Sequence, residues 1–243
     1  MLEGPHLVGE ALEAGLALDP VLATPEFLAG AEGRAIARRL ERTGREPTLA
    51  SADVLDSLAD ADSTKGLLAI AHLPRGGVDS LPRPPGGLYL YLDGLQDPGN
   101  LGAVARVAEA TGAAGLALSP GGVHPNHPRA LRASAGSLLR LPVAVGATVE
   151  SLSAHLAPHS PAWAALSAAG GADLYRADLP PRATALILAL GAEGPGLSPE
   201  TQRFVAREGL LLTIPLAPPV ESLNAAVAAA VALFEIRRRR ALG

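Results

Sequence analysis

LLLTIPLAPPVESLNAAVAAAVALFEIRRRR, residues 210–240, reads as a strand, a loop and a helix in succession. LLLTIP (210–215) has the length and apolar content of a buried strand. The alanine-rich run after Asn224 contains neither Gly nor Pro, so it reads as one long helix. Between them sits a polar triple, Ser222-Leu223-Asn224. A Ser or Asn at a helix start satisfies an orphan backbone N–H and is worth about 1 kcal/mol. Capping thus accounts for one of the two polar residues and leaves the other to be explained.

Upstream the same unit recurs. LYLYLD (88–93) reads as a strand and NLGAVARVAEATG as a helix. GLALSP, LPVAV, PAWAAL and ALILALGAE read as further strands, with PRALRASAGSLL, SLSAHLAP and SPETQRFVARE as helices. Apolar strands alternating with helices specify an α/β fold whose mostly parallel sheet is covered on both faces. LPRGGVDSLPRPPGG is rich in Pro and Gly and lacks apolar periodicity. A linker is therefore expected over 76–87, between a small α/β domain (1–75) and a larger domain (88–243). In the small domain HLVGEALEAG and GRAIARRLERTG read as helices, VLATPEFL as extended chain and GLLAIAHL as a strand.

With 48% hydrophobic residues and no apolar run of membrane-spanning length, the composition is that of a soluble globular protein. There is no cysteine, which excludes disulfides and thiolate metal sites and suggests a reducing compartment. The N-terminus shows no basic region followed by an apolar stretch, so a cytoplasmic location is expected. The net charge of −4 argues against a general nucleic-acid coat but not against local basic patches. One such patch is Arg34, Arg38, Arg42 and Arg45, spaced to share one helix face opposite Ile36 and Leu40. It is either a solvated face, with Glu41 pairing Arg45, or a stripe that contacts phosphates.

Three loops follow strands, where open α/β sheets bind ligands. They are DGLQDPGN (93–100), leading into the helix of Arg106; GAEGPG (191–196); and PLAPPVESLN (215–224). GAEGPG can turn sharply and lie close to a ligand, and it carries Glu193. Its spacing is not the GxGxxG of a dinucleotide fold, and there is no GK[ST] phosphate loop, so an oxidoreductase is disfavoured. His124-x-x-His127 and His155-x-x-x-His159 lack a carboxylate partner and read as loop histidines, so no metal is expected.

In order along the chain, LDGLQDPGNLGAVARVAEATGAAGL, ALILALGAEGPGLS and LTIPLAPPVESLNAAVAAAVALFEIRRR resemble the three motifs of the SpoU-type RNA 2′-O-ribose methyltransferases of the knotted SPOUT superfamily. The likeness covers residues 88–240. EGPHLVGEALEAG and KGLLAIA resemble, more loosely, the small RNA-binding domain that often precedes such a catalytic domain. The resemblance implies a C-terminal trefoil knot, a homodimer, and S-adenosylmethionine as cofactor. By motif position Leu190, Gly191, Gly194, Gly196, Ile214, Pro215 and Leu223 would bind the cofactor. Asn100, Arg106, Glu193, Ser222 and Asn224 would form the catalytic set, with Asn100 and Glu193 helping to hold Arg106. Arg129 and Arg132 join the arginine stripe as expected RNA contacts. Ribosomal RNA is the expected substrate; the alternatives are transfer RNA, or an RNA-binding protein that keeps the fold without catalysis.

Overall fold

The structure, a computed structural model, describes residues 1–59, 64–73 and 75–242. In chain order the first sheet unit comprises β1 (Leu2–Glu3), α1 (Gly4–Glu13), β2 (Leu18–Ala23), α2 (Pro25–Ala29), α3 (Ala31–Glu41), β3 (Thr48–Leu49), α4 (Ala52–Leu58) and β4 (Leu67–Ala71). Its four strands run in the order β1-β4-β2-β3, with β4 antiparallel to both neighbours. The second unit follows: β5 (Leu88–Asp93), α5 (Pro98–Thr111), β6 (Gly115–Leu118), α6 (Pro128–Ala133), α7 (Ser137–Arg140), β7 (Val143–Val145), α8 (Val149–Leu156), β8 (Ala162–Leu166), β9 (Ala172–Asp173), β10 (Leu186–Gly191), α9 (Pro199–Glu208), β11 (Gly209–Thr213) and α10 (Ala225–Leu242).

The larger sheet is parallel throughout, in the order β7-β6-β5-β10-β8-β11-β9. LYLYLD lies near its centre because both faces of that strand are apolar. Leu88, Leu90 and Leu92 enter one core layer, and Tyr89 and Tyr91 enter the opposite one. α5 and α10 pack against each other on the leucine face, where the core continues into the small unit through Leu2, Leu7 and Val8. On the other face Tyr91 and Phe204 each meet the Trp163 ring edge to face.

Three local expectations need correction. VLATPEFL is extended only to Ala23; Thr24 then caps α2, its hydroxyl accepting from Phe27 N–H at 3.2 Å, and Pro25 suits a first helical position. PRALRASAGSLL is two helices, broken where Ala135 (φ 47°) and Gly136 (φ 90°) turn left-handed. Arg45 lies beyond the end of α3 and pairs with Asp19, not Glu41. The boundary expected at 75/76 adjoins Pro74, which lies outside the described residues. Within the expected linker Gly76 bridges Ala144 of β7, and Val78–Ser80 form a short helical turn packed on the same strand.

Candidate active site

The carboxyl ends of β8, β10 and β11 converge on a cleft of about 400 Å³. Its base is the turn after β10. Ala192 and Gly196 exchange two backbone hydrogen bonds of 3.0 Å, and Gly194 (φ 85°) and Gly196 (φ 72°) take the left-handed conformations this closure demands. A Cβ on Gly191 would fall on the backbone of Gly196 and Leu197, so only glycine permits so tight a turn here. Of the residues expected at the cofactor, Leu190, Gly191, Gly194, Gly196, Ile214 and Leu223 line the cleft, joined by Leu216; Pro215 does not.

The opening polar triple resolves at this cleft. Asn224 is the helix cap: its Oδ1 accepts from Ala226 N–H at 3.0 Å and Val227 N–H at 3.4 Å. Its amide nitrogen, freed by that orientation, donates to Glu193 Oε1 at 2.9 Å and to Asn100 Oδ1 at 3.0 Å. Asn100 Nδ2 in turn donates to the same Glu193 oxygen at 2.6 Å. Three loops far apart in sequence are thereby tied through one carboxylate. Ser222 lines the cleft without capping anything.

Asn100 is itself fixed from behind. Asp97 caps α5, its Oδ1 accepting from Asn100 N–H at 2.7 Å, ahead of Pro98 at the first helical position. Asp97 was legible as a cap, since Asp before Pro at a helix start is such a signal. Arg106 lies nearly two turns further along α5, exposed, and makes no hydrogen bond or ion pair among the described residues. Glu193 and Asn100 bond to Asn224, and neither bonds to Arg106 in this structure.

The loop after β8 also lines the cleft, through Leu166, Ser167 and Ala168. No local motif marked it; its place follows from β8 lying between β10 and β11. Of the remaining expected residues, Arg34, Arg38 and Arg42 lie exposed along α3 and its end, far in sequence from the cleft. Arg129 Nη1 approaches Asp97 at 3.8 Å, beside the first turn of α5. Arg132 instead pairs with Glu3 at 2.6 Å. His124 and His127 serve as turn acceptors, each ring Nδ1 receiving a backbone N–H at 3.1 Å. Among the described residues no group of three His, Asp or Glu could hold a metal ion, and no helix is long and apolar enough to cross a membrane.

Known proteins are similar to this chain over nearly its whole length. An uncharacterized tRNA/rRNA methyltransferase of Synechocystis is 34% identical over 99% of this chain and 84% of its own. The 23S rRNA (guanosine(2553)-2′-O)-methyltransferase RlmP of Bacillus subtilis is 28% identical over 98% of this chain and 88% of its own. The SpoU methyltransferase AviRb of Streptomyces viridochromogenes, solved in complex with AdoMet, superposes with a TM-score of 0.86 at 25% identity, over 100% of this chain and 90% of its own. The profile of the SpoU rRNA Methylase family matches residues 87–234, a span that holds the whole cleft and the Asn100–Glu193–Asn224 network, and the chain belongs to that family of RNA methyltransferases.

Proposed function

We propose that this protein transfers the methyl group of S-adenosylmethionine to a ribose 2′-hydroxyl of ribosomal RNA. The observation that carries the reading is the Asn100–Glu193–Asn224 network at a glycine-turned cleft, on the helix that also presents Arg106. The cleft suits the cofactor: its volume is that of a small-molecule site, Leu190, Ile214 and Leu223 offer apolar contact, and the turn at Gly191 brings bare backbone to its wall. When bound, the cofactor supplies a methyl group on a positively charged sulfur, which is a strong leaving group. Glu193 gives the cleft a negative charge that favours such a cation. The rate then rests largely on orientation. Arg106 stays protonated, because a guanidinium does not lose its proton in a protein. It therefore acts by holding the hydroxyl and a neighbouring phosphate, and a phosphate oxygen of the RNA takes the departing proton.

Four further parts belong to the same reading. The C-terminal segment threads a trefoil knot, in keeping with β10 being inserted between β5 and β8 and with α10 returning to pack on α5. The enzyme is a homodimer in the cytoplasm; Val227 and Phe234, seven residues apart on α10, leave about half of each side chain exposed and form an apolar face. The small unit binds RNA through Arg34, Arg38 and Arg42, and Arg129 contributes beside the cleft. Residues 1–75 and 88–243 act as separate RNA-binding and catalytic domains.

The test is transfer of labelled methyl from S-adenosylmethionine to total RNA from cells lacking the gene, with 2′-O-methylation mapped at nucleotide resolution. One ribosomal site is expected. Arg106→Ala should lower turnover there at least about 100-fold, with binding of S-adenosylhomocysteine within twofold of wild type. Undiminished turnover in that variant would defeat the assignment of Arg106. A mapped site in transfer RNA would redirect the substrate.

A further inference from the structure

The two sheet units are joined by arginines that the reaction does not use. Arg140, at the end of α7, divides its guanidinium between them. Nε and Nη2 grip Glu109 of α5 at 2.6 and 2.9 Å, while Nη1 donates to Glu10 of α1. Gly136 keeps this junction open, since a Cβ there would strike Glu10 Oε2 at 2.5 Å. The Arg140 guanidinium holds the Glu109 carboxyl below the usual carboxylate range, as a gripped ion pair should. A second pair lies alongside: Arg132 of α6 reaches Glu3 of β1, whose side chain is only 2% exposed. α6 itself is pressed against α5 at Gly102, where a Cβ would lie 2.5 Å from the Ala130 carbonyl oxygen. Both arginines therefore connect the first unit to α5, the helix that carries Asn100 and Arg106.

We infer that Glu10, Arg140 and Glu109 form a positioning staple that fixes the angle between the RNA-capturing unit and α5, so that RNA held by the arginine face presents its ribose to Arg106. This rests on the function proposed above. Arginine is required because its planar fork serves two carboxylates at once; a lysine ammonium lacks that geometry. Neither Arg140 nor Glu10 touches substrate in this scheme. They act through α5.

Glu10→Ala is the cleanest probe, since it removes the arm between units and leaves Arg140 on Glu109. The expected result is a fall of about tenfold or more in kcat on RNA, because small misplacements are costly to an oriented reaction. Affinities for RNA and for S-adenosylhomocysteine should stay within twofold. Glu10→Gln, which keeps an acceptor for Arg140, should recover most of the rate. A readout independent of activity is available because the chain has no cysteine. Spin labels placed through Glu46→Cys and Arg203→Cys report the separation of the units, and its distribution should broaden in Glu10→Ala. Unchanged kcat with an unchanged distribution would overturn the inference, and so would loss of S-adenosylhomocysteine binding in step with kcat. A wild-type enzyme inert on every RNA, whose distribution still broadened in the variant, would defeat the proposed reaction and uphold the staple.

Discussion

The cleft and the arginine face of α3 present their polar side chains in opposite ways. At the cleft the polar side chains bind one another: Glu193 Oε1 accepts from Asn100 and Asn224, and Asn224 is locked again as a helix cap. On the α3 face Arg34 donates to the Ala29 carbonyl, but Arg38 and Arg42 are left loose and make no hydrogen bond or ion pair among the described residues. The first arrangement loses little freedom when a ligand arrives; the second must order flexible side chains as it binds. A site that aligns atoms for group transfer needs the former. A surface that follows a phosphate backbone of variable shape tolerates the latter.

The sharpest way to break the contrast is at its rigid pole. Gly191→Ala puts a methyl group into the backbone of Gly196, so overpacking of about 3 kcal/mol is expected. Falling on the cleft, this would weaken S-adenosylhomocysteine about 100-fold by calorimetry; retention of full affinity would mean the turn is soft. Next comes the cap. Asn224→Ala loses the cap and the bonds to Glu193 and Asn100, together about 1.5 kcal/mol, and should lower Tm by about 3–6 °C. Ser222→Ala should move Tm by less than about 1 °C, because Ser222 caps nothing. Equal shifts for the two would undo the distinction between them.

The loose pole calls for a different measurement. Arg38→Ala with Arg42→Ala should reduce the slope of log affinity against log salt by about 1.4 for single-stranded RNA and leave S-adenosylhomocysteine binding untouched. An unaltered slope returns the face to a solvated helix surface. The smallest effect belongs to the core beneath the cleft. Burial, aided by Asp93, pushes the Tyr91 hydroxyl up to about 12. Its neutral form is favoured in the fold, so this contribution to stability is complete below about pH 10 and disappears between about 10 and 12. Alkaline absorbance titration should show Tyr91 ionising near the upper value, with Tyr89, which burial also raises, above the ordinary range. Tyr91→Phe should remove that step and flatten the pH dependence of unfolding over the same interval.

The sequence made the strands and the glycine turn legible for local reasons. LYLYLD is apolar on both faces, which only a central strand tolerates, and β5 spans those six residues. GAEGPG announced a sharp turn by composition alone. Other features depended on distance. The cleft wall at Leu166–Ala168 arises from strand order, which the run PAWAAL does not encode. Arg132 was expected at RNA and nothing marked Arg140, yet Arg132 pairs with Glu3 and Arg140 with Glu10, carboxylates 129 and 130 residues away. Asn224 was the intermediate case. That Ser222 or Asn224 caps the last helix was visible in the sequence, but which of them does so, and the place of Asn224 beside Asn100, 124 residues earlier, were not.

That last separation has a consequence for how the protein is made. β10 slides between two strands already laid down, and α10 must come back to α5 before Asn224 can meet Asn100. Contacts so distant along the chain form slowly. During translation the first sheet can assemble early, as N-terminal units do. The cleft can be completed only after residues 210–228 have left the ribosome, well after the strands that flank β10 have been made.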